Sequence, residues 1–207
     1  MGIEAKNVCF RYKRSDSMVL ENVNLKISEG EMVALIGPSG YGKSTLAKIL
    51  SGYEKPQSGE VILGDNALPQ CGVSPVQLIY QHPEKAINPY FKMKDVLDEA
   101  RQYDSDLMNR LGIKDQWLDR YPYELSGGEL QRLCIARSLI PTTKYLIADE
   151  ISAMLDAISS VGVWEVIRNE CKKRNISLLM ITHNIALARR ICNHVVDIRE
   201  INSFGNK

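Results

Sequence analysis

The stretch Gly37-Pro38-Ser39-Gly40-Tyr41-Gly42-Lys43-Ser44-Thr45 fits the pattern G-x-x-x-x-G-K-[ST], in which a turn of backbone closes around phosphate. Gly37, Gly40 and Gly42 let the chain turn tightly and bring amide N–H groups close to an anion. Lys43 adds a fixed positive charge for the outer phosphates. The Ser44 hydroxyl is a hard oxygen of the kind Mg²⁺ prefers. Pro38, Ser39, Tyr41 and Thr45 complete the cradle. Later, Asp149-Glu150 closes the apolar run Tyr145-Leu146-Ile147-Ala148, and Thr182-His183 closes Leu178-Leu179-Met180-Ile181. Hydrolysis of a terminal phosphate needs charge neutralisation and a positioned water. Asp149 is the candidate for holding Mg²⁺, directly or through water. Glu150, one residue farther from the strand, is the candidate base. His183 could bond the outermost phosphate and keep the water and Glu150 in register. Gln81, after Leu78-Ile79-Tyr80, offers an amide oxygen to the cation or to the water.

Elements must position these groups. Met32 to Ile36 is a short apolar run suited to a strand buried on both faces. After the loop, Leu46, Ile49 and Leu50 fall at helical spacing, with Gly52 as the stop. Strand, glycine-rich loop and helix N-terminus is the arrangement in which a helix end meets phosphate. Val8, Phe10 and Tyr12 alternate, as do Val23, Leu25 and Ile27, which predicts two earlier strands. Ser28 to Glu31 reads as a turn, Ser58 to Gly64 as an exposed strand, and Val76 to Tyr80 as another apolar strand. From Glu84 to Ile140 the character is helical, punctuated by Pro83, Pro89 and Pro122. Two apolar runs with a helix between them finish the chain. Three core strands thus deliver polar chemistry at their C-terminal ends, the edge where parallel α/β sheets bind ligands.

Leu125-Ser126-Gly127-Gly128-Glu129 opens a further helix, whose apolar face carries Leu130, Leu133, Cys134 and Leu139. Ser126 and Glu129 fit a capping box. Paired glycines exceed what a cap needs, because each costs about 1 kcal/mol against Ala in a helix interior. Bare amides at a positive helix end suit close approach to phosphate. Ser126, Gly127 and Gly128 read as both a cap and a second phosphate contact.

Composition bounds the function. The 207 residues suffice for one domain with a substantial core, and 44% hydrophobic with 25% charged residues is ordinary for a soluble globular protein. A net charge of +1 gives no global attraction to nucleic acid or acidic lipid. No apolar stretch is long enough to cross a bilayer, and the N-terminus lacks a signal-peptide core. The five cysteines are scattered and odd in number, which argues against a disulfide framework and for a reducing cytoplasm.

The ordered set of residues 37–45, Gln81, residues 125–129, residues 146–150 and His183 resembles the ATP-binding cassette ATPases of membrane transporters, over nearly the whole chain. Leu-Ser-Gly-Gly-Glu resembles the family signature, and Ser152-Ala153-Met154-Leu155-Asp156 its D-loop, with Asp156 as the acidic end. Tyr12 stands where the family places an aromatic that stacks on adenine. The resemblance implies an α/β phosphate-loop core with a mainly parallel sheet, a small antiparallel β part and a helical subdomain. Residues 1–83 and 141–207 would form the core, and residues 84–140 the helical part. It implies MgATP hydrolysis between two cassettes packed head to tail, so that Ser126, Gly127 and Gly128 serve a partner's nucleotide. It also implies integral membrane permease subunits, a solute-binding protein, no nucleic acid, and a place on the cytoplasmic face of the membrane. Tyr80 to Pro89 looks like the Q-loop of peptide and nickel importers, which implies uptake of peptides, nickel or a metal–chelator complex. A cassette ATPase acting on DNA or ribosomes, and a binding-only cassette in a heterodimer, are the alternatives. Ile151 stands where the family usually has Pro, Tyr41 is bulky for its place, and the chain ends soon after His183, where that importer group normally carries an extension.

Overall fold

Apolar runs bounded by turn residues build the sheets. A computed structural model describes residues 2–13, 17–69, 72–99 and 104–203. The order is β1 (Gly2–Phe10), β2 (Leu20–Ser28), β3 (Met32–Ile36), α1 (Lys43–Leu50), β4 (Ser58–Leu63), β5 (Asn66–Ala67) and β6 (Val76–Ile79). Then follow α2 (Met93–Asp98), α3 (Ser105–Arg110), α4 (Gly127–Ser138), β7 (Tyr145–Asp149), α5 (Ala157–Arg174), β8 (Ser177–Ile181), α6 (Ile185–Ile191), β9 (His194–Asp197) and α7 (Ile198–Ile201).

Five strands pair in the order β6-β7-β8-β3-β9, all parallel. Four pair antiparallel in the order β2-β1-β4-β5. The parallel sheet is covered on both faces, which is why its strands read as continuous apolar runs. Successive side chains point to opposite faces. Ala34, Leu146, Ala148, Leu178 and Met180 face one core, with α4, α5 and α6. Val33, Leu35, Ile147, Leu179 and Ile181 face the other, with α1 and the antiparallel sheet. Buried Trp164 and Ile167 of α5, and Leu130, Leu133 and Ile135 of α4, fill the first core.

The segment between Pro83 and Ile140 is less helical than its composition predicts. It holds α2, α3 and α4, joined by short 3₁₀ turns at Pro83–Lys85, Asp115–Trp117 and Pro122–Glu124. Two of those turns start on prolines, which stop a helix from running through them from the preceding residues because they lack its N–H donor. Its apolar side chains, among them Met93, Leu97, Leu107, Leu111 and Trp117, join the sheet's own core.

Two details differ from the sequence reading. β1 ends at Phe10, so Tyr12 lies beyond the strand rather than on its face. β9 has no counterpart there: only Val195 and Val196 are apolar, and its residues are exposed or half-buried. Pairing with β3 makes it a strand. Among the described residues no helix is long and apolar enough to cross a membrane. Cys9, Cys134, Cys171 and Cys192 are free thiols, and Cys71 lies outside the described residues.

Candidate active site

Strand register sets the site. Asp149 of β7 pairs with Ile181 of β8, Leu35 of β3 pairs with the same Ile181, and Ile36 pairs with Asp197 of β9. The residues that follow, Glu150, Thr182-His183 and Gly37, therefore leave the sheet side by side at its C-terminal edge. Gln81 arrives two residues after β6, whose Ile79 pairs with Ala148.

The loop after β3 turns as its glycines allow. Gly37 has φ +135°, and a Cβ there would stand 2.5 Å from Ile198 Cγ2. Gly42 has φ +89° and caps α1, where a Cβ would meet Leu20 Cδ2 at 2.6 Å and the Val19 carbonyl oxygen at 2.9 Å. Only glycine fits both the conformation and the space. Lys43 is buried, and its Nζ donates to the carbonyls of Gly37 at 2.8 Å and Pro38 at 2.9 Å. Burial pulls its pKa down, opposed by the charges of Glu150, Asp149 and Asp197. Ser39, Gly40, Gly42, Lys43, Ser44 and Thr45 line a cleft of about 430 Å³ with Tyr12, Val19, Gln81 and Glu150. Tyr12 is 53% exposed, shares a 3.0 Å hydrogen bond with Thr45 Oγ1 and stands edge-on to Phe10. The Tyr41 side chain, bulky for its place, does not stand free of the protein. It is half-buried against the core beneath the antiparallel sheet, where it removes apolar surface from water.

Asp149 is 7% exposed, and its Oδ1 has no hydrogen-bond partner in the protein. Burial raises its pKa, and a hydrogen bond with the Ser44 side chain partly offsets this. A buried carboxylate oxygen without a donor is costly. A hard cation held by Asp149 and Ser44 would satisfy it, so these residues fit Mg²⁺.

Glu150 adopts φ +49°, the left-handed region that costs a non-glycine residue roughly 1 kcal/mol or more. Its N–H donates to the Ile181 carbonyl at 3.1 Å. The turn sends its carboxylate between two neighbours: Oε1 lies 2.7 Å from His183 Nε2, and Oε2 accepts from Gln81 Nε2 at 3.2 Å. The amide nitrogen of Gln81 is thus committed to Glu150, which leaves its oxygen as the atom for a cation or a water.

Ser126, Gly127, Gly128 and Asp156 are not among the residues lining this cleft. Ser126 caps α4, accepting from Glu129 N–H while Glu129 Oε2 accepts from Ser126 N–H. The glycine pair abuts the D-loop-like segment: a Cβ on Gly127 would stand 3.1 Å from Met154 Sδ, and one on Gly128 3.1 Å from the Met154 carbonyl oxygen. Asp156 caps α5 through the N–H groups of Ile158 and Ser159. Trp164 Nε1 donates to Ser152 Oγ at 2.8 Å, and Ile151, in the place of the usual Pro, is fully buried. Val19 in the cleft wall and Asp197 behind Gly37 escaped the sequence reading, because their roles arise from non-local pairing.

A family model for ABC transporter proteins matches residues 20–153. The chain belongs to the ABC transporter family. It is an ATP-binding cassette of that family, and so an ATPase. Nickel import system ATP-binding protein NikE from Staphylococcus aureus strain bovine RF122 / ET3-1 is 35% identical to this cassette over 211 residues, covering 96% of this chain and 87% of the relative. The NikE of strain N315 is 34% identical over the same coverage. Among solved structures, the dimeric post-hydrolysis state of the cassette MJ0796 bound to ADP and Pi superposes with a TM-score of 0.82 at 24% identity, over 94% of this chain and 93% of that one. A second dimeric MJ0796 structure gives 0.80 at 24% identity, with the same coverage. The parallel sheet with its separate antiparallel sheet and helices is the cassette fold.

Proposed function

We propose that this cassette hydrolyses MgATP as one half of a head-to-tail dimer and energises membrane subunits that import nickel or a related small cargo. The observation that carries the catalytic part is the placement of Glu150 across the cleft from the phosphate loop, gripped by Gln81 and His183. Loop amides from Gly37 to Thr45 and Lys43 would bind the phosphates, with Tyr12 beside the base. Asp149 and Ser44 would hold Mg²⁺, which supplies charge neutralisation on the outer phosphates when bound. Glu150 orients the attacking water and takes its proton, and His183 and Gln81 hold the carboxylate in place. Ser126, Gly127, Gly128 and Asp156 lie outside the lining of their own cleft and would complete the partner's.

Residues 84–140 would be the lobe that meets the membrane subunit, with residues 1–83 and 141–207 as the nucleotide-binding core. A groove of about 310 Å³ just beyond Gln81, with Tyr53, Tyr80, Lys85 and Arg137 in its walls, supports that reading. The match to two NikE proteins supports nickel as cargo. Among the described residues no group of three or more His, Cys, Asp or Glu side chains could hold the metal, so the cargo would pass through other subunits, delivered by a solute-binding protein, with the cassette on the cytoplasmic face. The test is uptake of radioactive nickel by cells expressing the cassette with its permease subunits. Uptake that is lost with Glu150→Gln supports the proposal, and undiminished uptake by that variant overturns it.

A further inference from the structure

Asn202 follows α7 and is 1% exposed. A buried carboxamide needs partners for its oxygen and for both N–H groups. Three backbone groups distant in sequence are among its partners. Nδ2 donates to the Val19 carbonyl at 3.0 Å and to the Tyr41 carbonyl at 3.2 Å, and Oδ1 accepts from Glu21 N–H at 2.9 Å. Two acceptors on one side and a donor on the other fix which way the amide lies. Tyr41 belongs to the phosphate loop, and Val19 lines the cleft. Gly42, next in the loop, packs against that wall: a Cβ on it would stand 2.9 Å from the Val19 carbonyl oxygen. One side chain therefore ties the loop to the wall it folds against. The same C-terminal segment braces the start of the loop, because Ile198 Cγ2 and Asp197 Oδ1 would lie 2.5 and 3.2 Å from a Cβ on Gly37.

We infer that Asn202 is a positioning residue for nucleotide binding: through the Tyr41 carbonyl it holds the loop amides that follow in the geometry a phosphate requires. It touches no reacting atom. The inference rests on the nucleotide-binding reading of the loop. Cutting the tether takes a donor from two part-buried carbonyls, and the loop relaxes to regain partners. The amides then have to be reordered at each binding event, which lowers affinity rather than the rate of the chemical step.

Asn202→Asp keeps the shape and the oxygen that accepts from Glu21, and replaces both donors by a carboxylate facing two carbonyls. Glu200→Ala, at an exposed position on α7, is the control. Calorimetry with MgADP and steady-state hydrolysis of ATP on the full chain are the measurements. Wild type and Glu200→Ala bind alike. Asn202→Asp raises Kd for MgADP and KM for ATP at least about tenfold, with kcat within about threefold. An unchanged Kd and KM, even with a lowered melting temperature, overturns the inference while leaving the nucleotide-binding reading intact. No MgADP binding by wild type removes both. If Asn202→Asp does not fold, hydrogen exchange on wild type decides: MgADP must slow the Glu21 amide together with the amides of residues 40–44, by linkage through the tether. Protection of the loop without Glu21 overturns the inference.

Discussion

His183 Nε2 lies 2.7 Å from Oε1 of Glu150, although the two residues leave different strands and are separated by 33 positions in the sequence. Adjacent parallel strands make this contact, since β7 and β8 pair up to Asp149 and Ile181. With Gln81 on the other oxygen, the carboxylate is held from both sides, in a cleft that Lys43 and Ser44 also line.

Replacement of Glu150 by Gln keeps the side chain's shape and removes its basicity. Hydrolysis is expected to fall at least about a hundredfold, while ATP still binds and the dimer accumulates. Phosphate release in single turnover checks the rate, and size exclusion with ATP checks the dimer. Turnover at the wild-type rate would remove Glu150 as the base.

Asp149 yields a prediction in pH. Burial raises its carboxyl above the ordinary 3.8, so the folded state holds this proton more tightly than the unfolded chain. The group's contribution to stability is complete below pH 3.8 and is lost as pH rises through the folded value. At neutral pH without Mg²⁺, Asp149→Asn should therefore melt about 2–4 °C higher per kcal/mol recovered. With MgADP the order reverses, because the wild type alone gains a cation ligand. Scanning calorimetry from pH 5 to 8, with and without MgADP, reads both effects. A variant that melts no higher in the metal-free state would show that the carboxylate is not under desolvation strain.

The phosphate loop, the ends of β7 and β8, and the Ser126–Glu129 capping box were legible in the sequence because each is local: a turn, an apolar run with a polar end, a spacing of three. The residues that brace them were not. β9 has two apolar residues and owes its form to pairing with β3. Val19 and Asp197 reach the site through pairing that local spacing does not encode. The glycine pair was legible as a departure from good helix formers, yet its immediate neighbour, Met154, lies on another segment. Ile151 looked like a lapse from the family pattern, but full burial explains an apolar side chain there.

The two glycines of α4 should respond differently to alanine. At Gly127 the nearest atom is the flexible Sδ of Met154, which can yield. At Gly128 it is the Met154 carbonyl oxygen, which moves only with the backbone. Gly127→Ala should change stability by less than about 0.5 kcal/mol, and Gly128→Ala should cost about 1–2 kcal/mol. Urea midpoints compare them, and equal costs would contradict the packing account.

Glu170 is a buried carboxylate that binds Arg110 of α3 at 3.0 Å and Arg174 of its own helix at 3.6 Å. Arg174 also holds the carbonyls of Leu139 and Ile140. Arg110→Met leaves Glu170 paired with Arg174 and should destabilise by about 1–2 kcal/mol. The double change with Glu170→Gln should recover part of that loss. A single variant within about 0.5 kcal/mol of wild type in urea would show that the pair contributes no net stability.

Calorimetric titration of ATP into the purified chain, with Mg²⁺ and with chelator, tests the central claim most directly when run beside Lys43→Ala. Wild type should bind in the micromolar range with Mg²⁺ and more weakly without it, and Lys43→Ala should lose at least about tenfold in affinity. Equal affinity in all three titrations would contradict a nucleotide held by the Gly37–Thr45 loop with a cation at Asp149 and Ser44.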